Sequence, residues 1–513
     1  MSRRFLFVAA AILSAYAAVA PASGKTIPDT VAGVVFMDTN RNGRMDTGEK
    51  PVARARVTDG VSIVTTDAGG AYSIKIGDDP TTPRKGSRVV SVCWPEGTWP
   101  TGKWWARLDQ IADATKVNFP LRADKQELPF AFMHVSDDHA AGATYGKVAP
   151  AAGRLKPFLR FCINTGDSAQ SSFESDAPMA TLARNAAKFV VPVMSVPGNH
   201  DIVGKREAKQ PDKHPLAWNG AYTKNLGPVR WSFDYAGARF VGLDWFDPSI
   251  PHSVNGSVPR VAADWMDKDL ASVKPGARIF VFVHFPNGCA KFGQVIAKYK
   301  VAHLFGGHNH RHKYYNAAGS PAVTAINFMA GGNLVIVEKD GFTPAEFCLG
   351  YKGPTHHSKR CSLSYPRRGW TGSLKARHGE ACNFPAGNLS GNAKPLDTSA
   401  GVGVHIEMEV TPGKAKKVGV RIGKGSKAIE IAWTGNMLNV AGVPVPFGWE
   451  AYDKKTLLWN IAIDGGRIEF YGNKRYHLSK VLDTGAVGAV TFFAEGGQAV
   501  VKTARAWPLK KAQ

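Results

Sequence analysis

The chain is 513 residues long, and 44% of its residues are hydrophobic and 20% are charged. One hydrophobic core does not serve a chain of this length, and the apolar content excludes a disordered protein, so we expect about two to four folded domains. The net charge of +23 favours an anionic substrate or surface. The basic residues form no cluster interleaved with aromatic residues, so nucleic-acid binding is not favoured.

Residues 1–23 have the layout of a cleaved export signal. Arg3 and Arg4 precede an apolar run that reaches Ala20, and small residues follow up to Ser23. The paired arginines suit a twin-arginine signal, and a membrane anchor is the alternative. No later segment is long and apolar enough to span a bilayer, so we expect a periplasmic or secreted protein with no transmembrane segment in the mature chain.

Residues 26–124 alternate short β-type runs with turns rich in glycine and aspartate, which predicts a small antiparallel β-sandwich. The turn at residues 66–72 resembles that of prealbumin-like domains, which precede exported and surface enzymes. Tryptophans close the segment at Trp94, Trp99, Trp104 and Trp105, where packing against the next domain is favoured over a substrate rim. The predicted strands are 31–36, 54–58, 61–66, 71–76 and 88–94.

A calcium loop is predicted inside this β-domain. Oxygen-bearing side chains recur at alternate positions, with Gly43 for a sharp turn and a closing carboxylate. The flanks have strand character, so the loop resembles calcium loops of repetitive surface β-domains; an ordinary polar hairpin is the alternative. A calcium ion would stabilise the domain and take no part in chemistry. The candidate positions are Asp38, Asn40, Asn42, Arg44, Asp46 and Glu49.

Over residues 128–345 apolar strand-like runs alternate with helix-like stretches, which predicts an α/β layered domain. In open α/β sheets ligands bind beyond the carboxyl ends of the strands, and the polar motifs of this segment fall at those ends. The predicted strands are 130–135, 158–164, 190–196, 239–243, 278–283 and 301–305, and the helices include 178–188 and 261–272.

Residues 346–395 form a basic, turn-rich connector, and residues 396–513 return to β-type alternation, which predicts a C-terminal β-sandwich. The end of this sandwich is faintly similar to the β-sandwich appended to fructan-cleaving glycoside hydrolases. That similarity leaves open a purely structural module and one that contacts a glycan or the cell envelope. Cys361 and Cys382 bracket a stretch with little apolar content, which favours a disulfide between them.

Polar motifs follow five predicted strands of the α/β segment. One such motif alone would be an ordinary turn or a structural histidine. Together they bring carboxylate, imidazole and amide groups to one edge of a sheet, with glycines that let the backbone pass close by. This combination suits a pair of divalent metal ions with mixed nitrogen and oxygen ligands. The motifs are Asp137-Asp138-His139, Gly166-Asp167, Gly198-Asn199-His200-Asp201, His284 and Gly307-His308-Asn309-His310.

These motifs resemble those of the calcineurin-like metallophosphoesterase family, and the resemblance spans the α/β segment. It implies a four-layer fold with two mixed sheets between helices, flanked here by an N-terminal and a C-terminal all-β domain. It also implies the ligand sets: one metal ion would be held by Asp137, His139 and His310, the other by Asn199, His284 and His308, and Asp167 would bridge the two.

The resemblance implies hydrolysis of a phosphate ester by a hydroxide that bridges two metal ions. Two metal ions roughly 3.5 to 4 Å apart lower the pKa of the bridging water and neutralise the phosphate oxygens. His200 would protonate the leaving oxygen, oriented by a carboxylate such as Asp201. Nitrogen and oxygen ligands suit manganese, iron or zinc.

The sequence thus predicts an exported, metal-dependent hydrolase of phosphomonoesters or phosphodiesters with a phosphorylated anionic substrate. One alternative is a cell-surface or envelope binding protein with a vestigial metal site, which the complete ligand set disfavours. The other is a secreted nuclease, which only the charge favours and which salt-sensitive degradation of nucleic acid would support. The motifs do not identify the substrate, because loops such as 204–226 and the neighbouring domains determine substrate specificity.

Overall fold

The computed structural model describes residues 27–348, apart from 112, 114, 115, 157, 171–174, 203–215, 249–255, 326 and 327. It also describes residues 377–510, apart from 379, 399–402, 424–427, 436, 447–455, 465, 474, 475 and 483–487. The predicted export signal, most of the predicted connector, Cys361 and part of the loop 204–226 therefore lie outside the described residues.

The N-terminal segment folds into two four-stranded sheets. Its elements are β1 (Thr30–Met37), β2 (Arg56–Thr58), β3 (Ile63–Thr65), β4 (Ala71–Lys75), the 3₁₀ turn Lys85–Ser87, β5 (Val89–Cys93), β6 (Thr98–Pro100), β7 (Trp105–Arg107) and β8 (Phe119–Ala123). One sheet has the order β4-β1-β8-β6 and the other β3-β2-β5-β7. Strand β1 runs parallel to β8, with Val35 opposite Phe119, so the first sheet is mixed and the expectation of a purely antiparallel sandwich is wrong at this pair.

The described strands of the α/β segment form two further sheets, with orders β11-β10-β9-β18-β19 and β12-β13-β14-β15-β17-β16. The strands are β9 (Phe130–Val135), β10 (Leu159–Asn164), β11 (Val193–Ser195), β12 (Trp231–Tyr235), β13 (Ala238–Gly242), β14 (Arg278–Phe282), β15 (His303–Gly306), β16 (Lys313–Ala317), β17 (Ser320–Thr324), β18 (Gly331–Val337) and β19 (Phe342–Cys348). The helices are α1 (Ala143–Arg154), α2 (Ala177–Ala187), α3 (Gly220–Asn225), α4 (Arg260–Leu270) and α5 (Ala290–Tyr299), with a 3₁₀ turn at Asn199–Asp201. Within the described ranges no helix combines the length and the apolarity needed to cross a membrane.

The sequence of β9 is a continuous apolar run because both faces of this strand are covered. Every residue of the strand is buried, and successive side chains point to opposite faces of the sheet. Phe132 faces the second sheet, where its ring centroid lies 5.5 Å from that of Phe240 and 5.7 Å from that of Phe282. Met133 faces the other way, into a cluster with residues of α1 and α2. Helices α4 and α5 cover the outer face of the second sheet in the same manner. An aromatic layer thus lies between the two sheets.

The described residues of the C-terminal segment form twelve strands, and the longest of them, β31, pairs with β24 before Gly496 and Gly497 and with β23 after these two glycines. Strands β20 to β22 fall inside the segment predicted as a turn-rich connector, and all three pair with β31. The strands are β20 (Arg377–His378), β21 (Cys382–Phe384), β22 (Gly387–Asn392), β23 (Gly403–Thr411), β24 (Lys417–Ile422), β25 (Ile429–Trp433), β26 (Met437–Val440), β27 (Val443–Pro446), β28 (Leu457–Asp464), β29 (Arg467–Gly472), β30 (Tyr476–Val481) and β31 (Val490–Lys510).

The C-terminal strands continue a sheet of the α/β segment. Strand β30 pairs antiparallel with β19, with Ala345 opposite Leu478 and Phe347 opposite Tyr476. Because β30 also pairs with β29, one hydrogen-bonded ladder runs from the α/β segment into the C-terminal strands.

The predicted disulfide between Cys361 and Cys382 is wrong. Cys382 is a free thiol, and Cys348 is disulfide-bonded. Cys382 belongs to β21, which pairs with β31, and its thiol donates to the backbone carbonyl of Asp397 at 3.4 Å. Cys382 is therefore held in the C-terminal sheet by the pairing of β21 with β31.

Arg230 ties the N-terminal sheets to the α/β segment from a fully buried position. Its Nε and Nη2 donate to Asp244 at 2.7 and 2.9 Å, and its Nη1 and Nη2 donate to Asp79 at 3.1 and 3.3 Å. Its guanidinium also donates to the carbonyl of Gly60 and the hydroxyl of Thr81, both at 2.8 Å. One cation therefore neutralises two buried carboxylates from different segments of the chain.

Replacing Arg230 should destabilise the protein strongly. Arg230→Met leaves Asp79 and Asp244 buried without their cation, which we expect to lower the free energy of unfolding by about 3–5 kcal/mol. Urea or thermal unfolding of the full chain measures the effect. The control is Arg260→Met, because the partner of Arg260 is Asp264 on an exposed helix surface and such pairs contribute little. Equal shifts in both variants would contradict the proposed role of Arg230.

Candidate metal centre

The structure brings all seven predicted ligands together. Each follows a strand whose carboxyl end points to the same edge of the paired sheets: the loops after β9, β10, β11, β14 and β15 supply them. Five of the seven have the left-handed backbone conformation, which is uncommon outside glycine and costs on the order of 1 kcal/mol or more at each position. These five are Asp137 (φ 56°), His139 (φ 48°), Asp167 (φ 52°), His308 (φ 70°) and His310 (φ 51°).

Asp137, His139 and His310 form the first group, whose ligand atoms lie within 4.8 Å of one another. The Nδ1 of His139 lies 3.1 Å from the carbonyl of Ala169, to which it donates, so its Nε2 faces the group. That Nε2 lies 3.2 Å from the Nε2 of His310, which is 3.2 Å from the carboxylate of Asp137. The backbone N–H of His308 donates to Asp137 at 2.9 Å.

Asp167, His284 and His308 form the second group, also within 4.8 Å. The Nδ1 of His284 donates to the carbonyl of Thr165 at 2.8 Å, and its Nε2 lies 3.1 Å from the carboxylate of Asp167. The amide oxygen of Asn199 lies 3.1 Å from both His284 Nε2 and His308 Nδ1, which are 3.2 Å apart. Asn199 thus completes the group.

The donor atoms fit divalent metal ions. His139 and His284 each donate one ring N–H outward to a backbone carbonyl, the usual support of a metal-binding imidazole, so each turns its other ring nitrogen, Nε2, inward. Inward lone pairs and carboxylate oxygens repel one another unless a cation or proton lies between them. Two ligand atoms each ~2.1 Å from one ion at about 90° are ~3 Å apart, which matches the separations found here.

Two glycines allow the loops to close around the carboxylates. A Cβ on Gly198 would lie 2.2 Å from Asp167 Oδ1, and a Cβ on Gly307 would lie 2.2 Å from Asp137 Oδ2 and 1.8 Å from the hydroxyl of Ser136. Any side chain at either position would displace a ligand, so the close approach requires glycine.

The two buried partners Asp167 and His284 shift each other's pKa. Burial would raise the pKa of Asp167, but the charge of His284 outweighs it and holds that pKa below its usual range. Burial would lower the pKa of His284, but the carboxylate of Asp167 outweighs it and raises that pKa to about 9. Burial and then repulsion from His284 lower the pKa of His308 to about 4, so this imidazole presents a lone pair at neutral pH.

His200 and Asp201 occupy different environments. The Nδ1 of His200 lies 2.7 Å from the carbonyl of Gln170, and its Nε2 lies 4.0 Å from the carboxylate of Asp167. The carboxylate of Asp201 accepts backbone N–H groups of residues 168, 169 and 198 at 3.0, 3.1 and 2.9 Å. The expected role of Asp201 as the orienting partner of His200 is therefore wrong: the Gln170 carbonyl orients the ring, and Asp201 holds the Asp167 loop.

Sequence reasoning missed Trp245. Its ring centroid lies 5.2 Å from that of His284 and 4.8 Å from that of His308, and its indole N–H donates to Asn287. A signal was present, because Trp245 follows β13 just as the ligands follow their strands. The buried indole forms an apolar wall beside the second group.

The predicted calcium loop lies in a different part of the molecule, between β1 and β2. The carboxylate of Asp38 accepts the backbone N–H groups of Asn42 at 3.0 Å and Gly43 at 3.1 Å. The amides of Asn40 and Asn42 donate to Asp46 at 2.8 and 2.6 Å. Glu49 accepts the N–H of residue 39 at 2.7 Å, and Arg44 takes part through its backbone N–H, which donates to Asn42 at 2.8 Å.

Residues 130–312 match the family model of the calcineurin-like phosphoesterases. This stretch is a calcineurin-like phosphoesterase domain. It contains all seven candidate ligands and His200, so the phosphoesterase domain and the candidate metal centre coincide. No curated protein matches the chain.

Solved structures are similar to the chain at low identity. GAP50, the anchor in the inner membrane complex of Plasmodium, is 12% identical, with 43% of this chain and 85% of that chain covered and a TM-score of 0.31. A putative 5'-nucleotidase from Staphylococcus aureus is 15% identical, with 43% and 53% covered and a TM-score of 0.29. A β-fructofuranosidase from Schwanniomyces occidentalis is 9% identical, with 34% and 46% covered and a TM-score of 0.23. These scores are low, so the assignment of the phosphoesterase domain rests on the family match.

Metal binding to the chelator-treated protein should release a proton. With a pKa of about 9, His284 holds a proton at neutral pH, and a cation at its Nε2 must displace it. The apparent affinity should therefore fall about tenfold per unit as the pH decreases below 9 and level off above it. Calorimetric titration with Zn²⁺ in two buffers of different ionisation enthalpy measures the release. Identical heats in both buffers would contradict it.

Proposed function

We propose that the protein is an exported hydrolase of phosphate esters that works with two divalent metal ions. The family match supports a phosphoester hydrolase. The observation that carries the two-metal proposal is the pair of adjacent ligand groups, linked by the bond from the His308 backbone to Asp137. Asp137, His139 and His310 would hold one ion, Asn199, His284 and His308 the other, and Asp167 would contribute to both.

Bound metal ions of this kind activate water near neutral pH and neutralise the negative charge of a phosphate ester. The chain's own residues do the rest. The carboxylates and imidazoles fix the two positions, and Trp245 keeps water from one side of the second position. Because Nδ1 of His200 donates to Gln170, Nε2 is the ring nitrogen that can donate a proton to the leaving oxygen of the substrate when the imidazole is protonated. The His200 side chain is 36% exposed, so a substrate can reach it.

The finer architecture belongs to the same proposal. Helices outside two sheets with an aromatic layer between them support a four-layer domain at about residues 128–345, with all-β domains at 26–124 and 396–513. Export to the periplasm or the medium rests on the sequence of residues 1–23. Manganese, iron and zinc all suit the donor atoms, and both mono- and diesters suit the chemistry.

Two substitutions separate metal binding from proton transfer. Asp167→Asn should abolish hydrolysis and lower the metal content, because it removes the charge between the two groups. His200→Ala should leave the metal content unchanged and lower kcat about 10²–10⁴-fold for alkyl phosphates, which have poor leaving groups. Hydrolysis of an activated aryl phosphate is the internal control, since it needs less help from a proton donor.

Metal analysis and steady-state kinetics on the purified full chain measure both effects. Wild-type protein that binds two metal ions but hydrolyses neither monoesters nor diesters would favour a binding protein with a vestigial site. Normal turnover by both variants would refute the residue assignments.

Calcium bound by the loop 38–49 is a second part of the proposal. Its support is the order of oxygen-bearing side chains at Asp38, Asn40, Asn42, Asp46 and Glu49, which the loop holds together by hydrogen bonds among themselves and to its backbone. Calcium should raise the melting temperature of the wild type but not that of Glu49→Gln, because a ligand that binds only the folded state stabilises it. Asp67→Asn, in the next turn, is the matched control and should respond like the wild type. An unchanged melting temperature of the wild type would reject the site.

A further inference from the structure

A groove of about 280 Å³ lies at the opposite end of the phosphoesterase domain from the metal centre. It borders Leu159, the first residue of β10, and Pro192, just before β11, whereas the ligands follow the last residues of these strands. The six residues of β10 separate the two ends by about 20 Å. The N-terminal sheets contribute Trp99, Arg122 and Asp124, so the groove requires both segments.

The groove has a cationic end. Arg122, Lys156 and Arg160 line it, against the single carboxylate of Asp124. Asp124 lies 3.2 Å from Arg122 and 3.5 Å from Arg160, so it orients both guanidinium groups without neutralising all the positive charge. Lys156 is exposed and forms no ion pair with any described residue. This arrangement suits an anion that replaces water at the end of the groove.

A buried hydroxyl also lines the groove. Tyr235 is 1% exposed, its hydroxyl lies beside the guanidinium of Arg160, and within the described residues no group makes a well-formed hydrogen bond to it. An unpaired buried hydroxyl costs stability unless a water or a ligand satisfies it. Burial raises the pKa of Tyr235 to about 12, so the group stays protonated and can donate to an oxygen of a ligand.

Apolar side chains form the remaining wall. Trp99 stands edge to face against Tyr235, with ring centroids 6.1 Å apart, and is held by Trp94 behind it. Val190, Val191 and Pro192 complete this wall. The volume lies just below the range of about 300–1,000 Å³ for small-molecule sites, which suits a ligand about the size of one sugar ring.

We propose that this groove is a second ligand site, which binds a sugar unit carrying a phosphate or carboxylate group. The acidic group lies against Arg122, Lys156 and Arg160, the ring rests on the apolar wall, and a ring oxygen accepts from Tyr235. The site does not depend on the metal centre, so its failure and the failure of the proposed function are separate results.

Calorimetry on the metal-loaded full chain tests the site with glucuronate, with glucose as the neutral counterpart. Glucose 6-phosphate and inorganic phosphate are titrated into the Asp167→Asn variant, which removes competition from the metal centre. We expect saturable binding of both acidic sugars, at least tenfold weaker binding of inorganic phosphate, and none of glucose.

Three groove variants and one control locate the binding. Arg122→Gln and Tyr235→Phe should each weaken binding of glucuronate about tenfold. Lys156→Gln should weaken it several-fold, about threefold to tenfold. Tyr235→Phe removes a hydroxyl that makes no well-formed hydrogen bond to a described residue, so its melting temperature should not fall, as it would if the hydroxyl were structural. Lys188→Gln makes the same charge change on a nearby exposed residue outside the groove and should bind like the wild type.

Several outcomes would overturn the proposal. The absence of saturable binding of glucuronate to the wild type would do so, as would binding that none of the groove variants weakens. Inorganic phosphate binding as tightly as glucose 6-phosphate would reduce the groove to a simple anion site. Tighter binding of a mononucleotide than of either acidic sugar would replace the sugar by a nucleotide.

Discussion

The carboxylate of Asp167 is the constraint around which the rest of the site is arranged. It is almost fully buried, and a carboxylate removed from water needs compensation from hydrogen bonds and positive charge. The backbone N–H of His200 supplies a bond of 2.8 Å, and the imidazole of His284 lies 3.1 Å away. Gly198 passes against the carboxylate where no side chain would fit. The loops after β10, β11 and β14 are therefore positioned by one side chain.

The backbone strain at the ligands has a structural basis in the layers beneath them. Several adjacent ligands have left-handed backbone conformations, which persist only where the surroundings determine the fold strongly. Here the surroundings are an aromatic layer in which Phe132 and Phe161 stack with ring centroids 5.6 Å apart, and the buried cation of Arg230. Arg230 donates to Asp244, the residue before Trp245, and also to Asp79 of the N-terminal segment. The N-terminal segment is therefore linked through Arg230 to the residue next to the indole that lies beside the metal centre.

Much of this could be read from the sequence because the relevant signals are local. The apolar run at residues 130–135 predicts a strand with the same bounds as β9. The ends of the predicted strands also indicate where the ligands lie. Asp201 was assigned the wrong role because nothing local tells whether a carboxylate meets a side chain or backbone N–H groups. Strand β22 was missed because its only buried side chain is Leu389, so no alternation is visible. Pairings such as Cys382 with a distant strand depend on the whole fold.

The ladder between β19 and β30 has a consequence for how the chain can be divided. A sheet edge with unpaired N–H and C=O groups is a template for association with other chains. A shortened protein ending after Cys348 would lose β30 and leave β19 as such an edge. A module that replaces the C-terminal strands at this boundary must therefore supply its own strand, or another cover, for the edge of β19.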